Sequence, residues 1–474
     1  MTDLNTRNTR PLSGAHETRE EFTGTGTDVR IGIEAEYQIY DPENGFKPIT
    51  IAQNAAFEAV ATANGLAISH EASAQTIEIK TDAYRHTDFS SLCDEFNAHY
   101  TAFKAVVKEA GFESVNVPLL PQASFAELLE QIHPRERAQV FLRHFEDHDA
   151  LETARYFTSV SGLQASISYA DEQHGWDIYR RAVYLAPLLA TVLSNCPSVL
   201  SDDAGELTAV TRNETLARRL APYGREGGVA EAFWTSDNAT AFFDAVNEGV
   251  WNAPLFCAYD GEGALQYFAD AADVKSLNDL DESYKTRANY DLAASIQWHL
   301  VSVSLLPQKD GSYKRRIEAR YFDTLEPEHG LAVTQFLSAL AFDKGFGQAI
   351  DRFLDNHGFD AQSPARSRGL WQQSLDSAIE DGYATPQEAV YGTASVLEAS
   401  EALAAIVKPY VNDYPHLAPL YGILRDCNPP KNTVGGVIAD QGLDAFLRNG
   451  RDDAEQAEKA SFSKARFSRR NLSL

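Results

Sequence analysis

Two glutamates, Glu34 and Glu36, stand two residues apart in the run from Arg30 to Tyr40, Arg-Ile-Gly-Ile-Glu-Ala-Glu-Tyr-Gln-Ile-Tyr. Side chains alternate between the two faces of an extended strand. Gly32, Glu34, Glu36 and Gln38 then share one face, and Ile31, Ile33, Ala35, Tyr37 and Ile39 share the other. The two carboxylates lie roughly 7 Å apart along such a strand, and they repel unless cations sit between them. Three further segments repeat the pattern. Thr76, Glu78 and Lys80 oppose Gln75, Ile77 and Ile79; Gln164, Ser166 and Ser168 oppose Leu163, Ala165, Ile167 and Tyr169; Arg316, Glu318 and Arg320 oppose Ile317, Ala319 and Tyr321. Each segment alone also reads as the wet side of a half-buried strand. Together their polar faces carry carboxylate oxygens suited to Mg²⁺ and an arginine fork suited to phosphate.

The elements that must position these residues follow from the same alternation. Strands with one apolar and one polar face predict an α+β fold: a curved antiparallel sheet with a polar active-site face and helices packed on the other face. Helices are expected over about 52–64 and 88–110, the second capped by Asp88 and ended by Gly111. A buried helix from about Asp177 to Asn195 is apolar nearly all round and should be kinked by Pro187. Residues 122–150 read as helical and charged, 201–232 as loop, and 290–322 as a hairpin turning at Pro307 to Gly311. Beyond residue 330 helices are expected at about 331–344, 346–356, 370–380, 386–392 and 395–408.

This organisation predicts a disordered segment over residues 1–27, a single catalytic α+β domain over 28–450, and a flexible basic tail over 451–474. The net charge of −27 and pI near 4.8 argue against nucleic acid or an anionic membrane as partner. No apolar run approaches the length of a membrane span, and Met1 to Asp28 is too polar for a secretory leader. The four cysteines (Cys93, Cys196, Cys257 and Cys427) are far apart and form no CxxC, which fits buried reduced thiols in a cytoplasmic protein.

Five motifs, in order, resemble those of the glutamate–cysteine ligases. Ile31-Gly-Ile-Glu-Ala-Glu36 is similar to the family's Gly-x-Glu-x-Glu strand. Glu71 to Thr81 resembles its second element, an acid about seven residues ahead of an x-Glu-Ile/Leu-x-Thr strand. Ser161 to Ser168 resembles the central strand, with Gln164 where some members place a His ligand. Tyr184 to Pro197 resembles the following helix of the plant-type and actinobacterial branch, and Arg316 to Asp323 the Glu-x-Arg-x-x-Asp strand. The resemblance implies a funnel-shaped sheet like that of glutamine synthetase, small amino-acid substrates, and ATP and Mg²⁺ as cofactors. It implies phosphorylation of the glutamate side-chain carboxylate and attack by the cysteine amine, in the pathway of glutathione biosynthesis. Carried over, Glu34, Glu36, Glu78 and Glu318, with Glu71 as a further acid, would hold Mg²⁺. Gln164 and Arg320 would bind the nucleotide, and Arg320 and Glu78 would act in catalysis. The branch's arginine- and tryptophan-bearing stretch finds Arg212, Arg218 and Arg219 but no tryptophan between Ser198 and Gly224, so the amine acceptor stays open.

Other readings stand beside this one. The same ligase chemistry could serve another donor or amine, and a silent binding protein could keep the fold. A metal-dependent hydrolase has little to draw on, because these strands are poor in histidine. His299 reads as a core histidine, Arg180 and Arg181 as helix-surface ion pairs, and Gly224 to Gly228 as a plain loop that matches no Walker spacing.

Overall fold

A computed structural model describes residues 10–23, 26, 28–118, 130–147, 160–195, 228–268, 275–297, 299–307, 313–380 and 385–427. In chain order the strands are β1 (Ile31–Asp41), β2 (Lys47–Pro48), β3 (Ser69–His70), β4 (Thr76–Lys80), β5 (Glu113–Val115), β6 (Gly162–Ser168), β7 (Cys257–Tyr259), β8 (Leu265–Tyr267), β9 (Val301–Pro307) and β10 (Tyr313–Asp323), followed by the short pair β11 (Val390–Tyr391) and β12 (Ala394–Ser395). The helices are α1 (Ala15–Thr23), α2 (Ile51–Ala63), α3 (Phe89–Glu109), α4 (Glu136–Asp147), α5 (Glu172–Val192), α6 (Glu231–Thr235), α7 (Ala239–Trp251), α8 (Arg287–Ser295), α9 (Pro327–Phe342), α10 (Lys344–Asn356), α11 (Pro364–Glu380), α12 (Val396–Val407) and α13 (Ala418–Asp426).

The principal sheet is antiparallel and curled, in the order β3-β4-β1-β6-β10-β9, with β2 and β5 pairing the far end of β1. Its register aligns the polar faces. Glu36 lies opposite Glu78 and Glu34 opposite Lys80 on one side of β1, and Glu34 lies opposite Gln164 on the other. Glu318 lies opposite Ser166 and Ser302. The apolar faces behave as alternation requires: Ile33, Ile77, Ala165 and Ile317 are all buried at 1% exposure or less. They join α3, α5 and α9 in the main hydrophobic core.

In β10 the step from Ala319 to Phe322 faces the step from Ala165 to Leu163 on β6, so β10 carries one extra residue. Such a bulge bends a strand and re-aims the side chains at it. Arg320 sits in this bulge, with its backbone N–H donating to Leu300 O at 2.9 Å.

Local signals explain most helix ends. Thr50 and Gln53 form a reciprocal capping box on α2. Asp88 occupies the cap position of α3 but makes no side-chain cap bond, contrary to expectation. The buried helix α5 begins five residues earlier than expected, because Asp171 accepts from His174 N–H and caps it there. Pro187 lies inside α5. Its ring removes the donor that would reach Val183 O, and Trp371 Nε1–H fills that place at 2.9 Å. Tyr391 Oη–H similarly donates to Tyr184 O at 3.0 Å.

Three expectations are corrected. The hairpin expected over 290–322 starts later, since residues up to Ser295 belong to α8 and the hairpin is formed by β9 and β10. Residues 1–27 are not uniformly disordered: α1 carries a buried Phe22 against Phe243, and Thr18 donates to Asn247 Oδ1 at 2.7 Å while accepting from Trp251 Nε1–H. Few residues anchor it, so its sequence shows little apolar periodicity. The helix expected at 386–392 is instead a turn leading into β11 and β12. Gly392 between those strands adopts φ 60°, a conformation that ends a helix and favours glycine. Cys93, Cys257 and Cys427 are buried free thiols, as expected. Cys196, the 201–227 stretch and the 451–474 tail lie outside the described residues.

Candidate active site

The polar face of the sheet forms one wall of a cavity of about 920 Å³. Glu34, Glu36, Glu71, Glu78, Gln164, Glu318 and Arg320 all line it, so every residue expected to bind metal or nucleotide reaches the same space. Within that space the acids separate into two groups.

The first group is Glu36, Glu71 and Glu78. Each places a carboxylate oxygen within 4.8 Å of the others. Glu36 and Glu78 face each other across the β1–β4 ladder, and Glu71 arrives from the segment between β3 and β4. Burial and the charges of Glu36 and Glu78 push the Glu71 carboxyl well above the ordinary carboxylate range. Gln164 Nε2 donates to Glu36 Oε1 at 3.0 Å, and the Gly162 N–H donates to Glu36 Oε2 at 2.7 Å. These bonds hold Glu36 in one orientation. Gln164 therefore acts on a carboxylate and does not merely decorate the sheet. Three crowded hard-oxygen donors, with the pKa of one raised by burial and by its neighbours' charges, fit a divalent cation of the Mg²⁺ or Mn²⁺ type.

The second group is Glu34 and Glu318, and here the charge is balanced by side chains. Arg316 bridges the two, with Nη1 at 2.9 Å from Glu34 Oε1 and Nη2 at 3.3 Å from Glu318 Oε1. Arg320 Nη1 donates to Glu318 Oε2 at 3.0 Å. Lys80 pairs with Glu78 and approaches Glu34 at 3.6 Å. Burial alone would raise the Glu318 pKa, but Arg316, Arg320 and the Ser302 hydroxyl pull it down to about 2. The same pairing raises the guanidinium pKa values of Arg316 and Arg320 against their burial. Glu34 and Glu318 thus sit beside the acid trio as partners of guanidinium groups. The sequence places all these residues on one face. It does not show which carboxylates the basic residues of that face will neutralise.

Other residues also find their places. His299 lines the cavity and is half-buried, which differs from the expected core histidine. Arg180 and Arg181 both pair with Asp351, at 3.0 and 2.6 Å, and neither lines the cavity; the ion pairing is as expected, but Arg180 is buried rather than on the helix surface. Gly224 to Gly227 and Arg212, Arg218 and Arg219 lie outside the described residues. The sequence reading missed Arg135 and Arg137, which line the cavity from the start of α4. Arg137 lies on that helix and Arg135 just ahead of it, far in sequence from the motif strands, and only the tertiary fold brings them in.

Residues 30–344 match the family model described as glutamate-cysteine ligase family 2. With the sheet and its acid-and-guanidinium face, this match defines the protein as an ATP-dependent carboxylate–amine ligase. The match spans more than half of the chain, and the chain belongs to glutamate–cysteine ligase family 2. Among solved structures it is similar to the glutamate–cysteine ligase of Francisella tularensis in complex with AMP, at 12% identity over 93% of this chain and 95% of that one, with a TM-score of 0.46. It is also similar to a bifunctional glutathione synthetase from Pasteurella multocida, at 11% identity over 94% of this chain and 54% of that one, with a TM-score of 0.47. A third similar structure is the complex of the prokaryotic ubiquitin-like protein Pup with its ligase PafA, at 10% identity over 91% of this chain and 70% of that one, with a TM-score of 0.39. Comparison with curated proteins gave no match. Among the described residues, no helix is long and apolar enough to cross a membrane.

Proposed function

We propose that the protein joins the side-chain carboxylate of glutamate to the amine of cysteine, using ATP and Mg²⁺ and passing through an acyl phosphate. The observation that carries this reading is the meeting of the Glu36–Glu71–Glu78 trio with the Arg316–Glu318–Arg320 network in one cavity. Phosphoryl transfer asks a protein for charge neutralisation and alignment more than for a nucleophile. Among the described residues, the buried thiols Cys93 and Cys257 are pushed up to about 12 by burial, which makes them poor nucleophiles.

In this reading Glu36, Glu71 and Glu78 hold the cation, which when bound neutralises phosphate charge. Gln164 holds Glu36 in its ligand orientation. Arg320, tied to Glu318 through one nitrogen, turns its remaining N–H groups to the transferred phosphoryl group. Glu34 and Glu318 fix Arg316 and Arg320 against motion as charge moves. The donor carboxylate oxygen attacks the γ-phosphorus and ADP leaves. The amine then attacks the acyl carbon, the C–N bond forms, and phosphate departs with that oxygen while the amine loses a proton.

The test is an ADP-release assay with Mg²⁺, ATP and amino acids singly and in pairs, with glutamate and cysteine first. Glutamate labelled with ¹⁸O in its side-chain carboxyl should pass one label into phosphate. Release of AMP and pyrophosphate would replace this mechanism with adenylation, and unlabelled phosphate from a confirmed donor would exclude the acyl phosphate.

A further inference from the structure

The cavity's basic residues are unequal in their partners. Arg316, Arg320 and Lys80 are each paired with carboxylates of the sheet. Arg137, half-buried on α4, has no carboxylate within ion-pair distance among the described residues. Among the described residues its hydrogen bond runs from Nη2 to Ser295 Oγ at 3.0 Å. Ser295 spends its own hydroxyl proton on Leu292 O at 2.7 Å, so it can only accept from Arg137 and fixes the guanidinium plane. The guanidinium carbon lies over the Phe141 ring, 5.5 Å from its centroid. Glu71 is close enough to act on the charge without pairing with it, and Arg320 repels it. Burial lowers the Arg137 pKa, whereas Arg316 and Arg320 are raised by their carboxylates.

A guanidinium desolvated by burial, held at Nη2 and lining a cavity, is costly unless an anion completes it. The planar fork of a guanidinium matches the two oxygens of a carboxylate. The ligase reading, on which this inference rests, supplies such a group. Joining two amino acids consumes one carboxylate, and at least one unreacted carboxylate stays in the site. The sheet's own cations are already engaged with Glu34, Glu78 and Glu318. We infer that Arg137 is the binding residue for an unreacted carboxylate of an amino-acid substrate, held two-pronged against Ser295 and Phe141.

Steady-state kinetics of Arg137→Lys and Arg137→Gln test this, with thermal melts to verify folding. Loss of a charge-assisted pair should raise KM for one amino acid at least about tenfold, leaving KM for ATP within about twofold. Guanidinium ion at millimolar concentration should partly restore Arg137→Ala, which a purely structural role would not allow. A raised KM for ATP with unchanged amino-acid KM values would overturn the assignment in favour of a phosphate contact. Unchanged constants throughout would overturn it outright. If Arg137→Gln fails to fold, Arg137→Lys carries the test. Failure of the wild-type protein to release ADP with any amino acid would sink the ligase reading instead. Calorimetric titration of glutamate into wild type and Arg137→Lys would then still test the carboxylate site, with equal affinities overturning it.

Discussion

Replacing Glu318 by Gln keeps the shape of the side chain and removes the charge between two guanidinium groups. Glu318 is 1% exposed and accepts from Arg320 at 3.0 Å and Ser302 at 3.2 Å, with Arg316 at 3.3 Å. Burial opposes its ionisation and the two arginines favour it, leaving its pKa at about 2 against an ordinary 4.5. At 1.36 kcal/mol per pH unit, that difference is worth about 3 kcal/mol of folding stability at neutral pH. Removing one member of a buried ion pair costs a similar ~3–5 kcal/mol by independent measure. The sign follows from a depressed folded-state value. The stabilisation is present above pH 4.5 and is lost as pH falls toward 2. At pH 3.5 roughly two-fifths of it should already be gone by the same linkage. Urea unfolding of wild type and Glu318→Gln in EDTA, at pH 7 and pH 3.5, measures both quantities. A variant as stable as wild type at pH 7 would refute the argument, as would a gap that does not narrow on acidification.

Three other outcomes are expected. Glu36→Gln, Glu71→Gln and Glu78→Gln should each lower turnover at least about tenfold and raise the Mg²⁺ concentration needed for half-maximal rate, while Glu34→Gln should leave that concentration nearer to wild type; a titration of rate against Mg²⁺ separates them. Arg320→Lys should preserve the melting temperature and reduce kcat far more than ATP affinity, because an ammonium cannot span two phosphoryl oxygens; comparison of kcat with nucleotide Kd checks this. Phe22→Ala should cost about 3–5 kcal/mol, as for a buried aromatic in any core, and urea unfolding would show no change if the N-terminal segment were unattached.

The strand-borne part of the site was legible because a period of two leaves little freedom. Once Ile31, Ile33 and Ala35 seek the core, Glu34 and Glu36 must lie on the opposite face, and the same holds for Glu78, Gln164 and Glu318. The family motifs then named the chemistry. What could not be read was the distribution of partners on that face. Arg316 and Lys80 were visible as neighbours, yet only the β1–β4 and β6–β10 registers show that they engage Glu34, Glu78 and Glu318. Arg137 was beyond reach for a different reason: its helix precedes β6 and enters the cavity through contacts with β8 and α8, which no local period records. Pro187 shows the same limit. The sequence warns of a missing donor in α5, but the answer comes from Trp371, distant in the chain.

The division of the acids into a trio and a neutralised pair has a consequence for catalysis. A site in which all five carboxylates were free would bind cations strongly but repel a triphosphate. In the proposed mechanism, with Arg316 and Arg320 balancing Glu34 and Glu318 and Lys80 offsetting only part of the trio's charge, the sheet would present negative charge to the cation and positive charge beside it to the phosphate. The bulge in β10 falls at Arg320, which still lines the cavity with Arg316 and Glu318, while Glu318 keeps its place opposite Ser166. Dipoles and charges fixed in this way need no rearrangement when the phosphoryl group transfers, which is where electrostatic catalysis gains most. The ion pairs of this site are therefore better understood as an alignment device than as a source of stability alone.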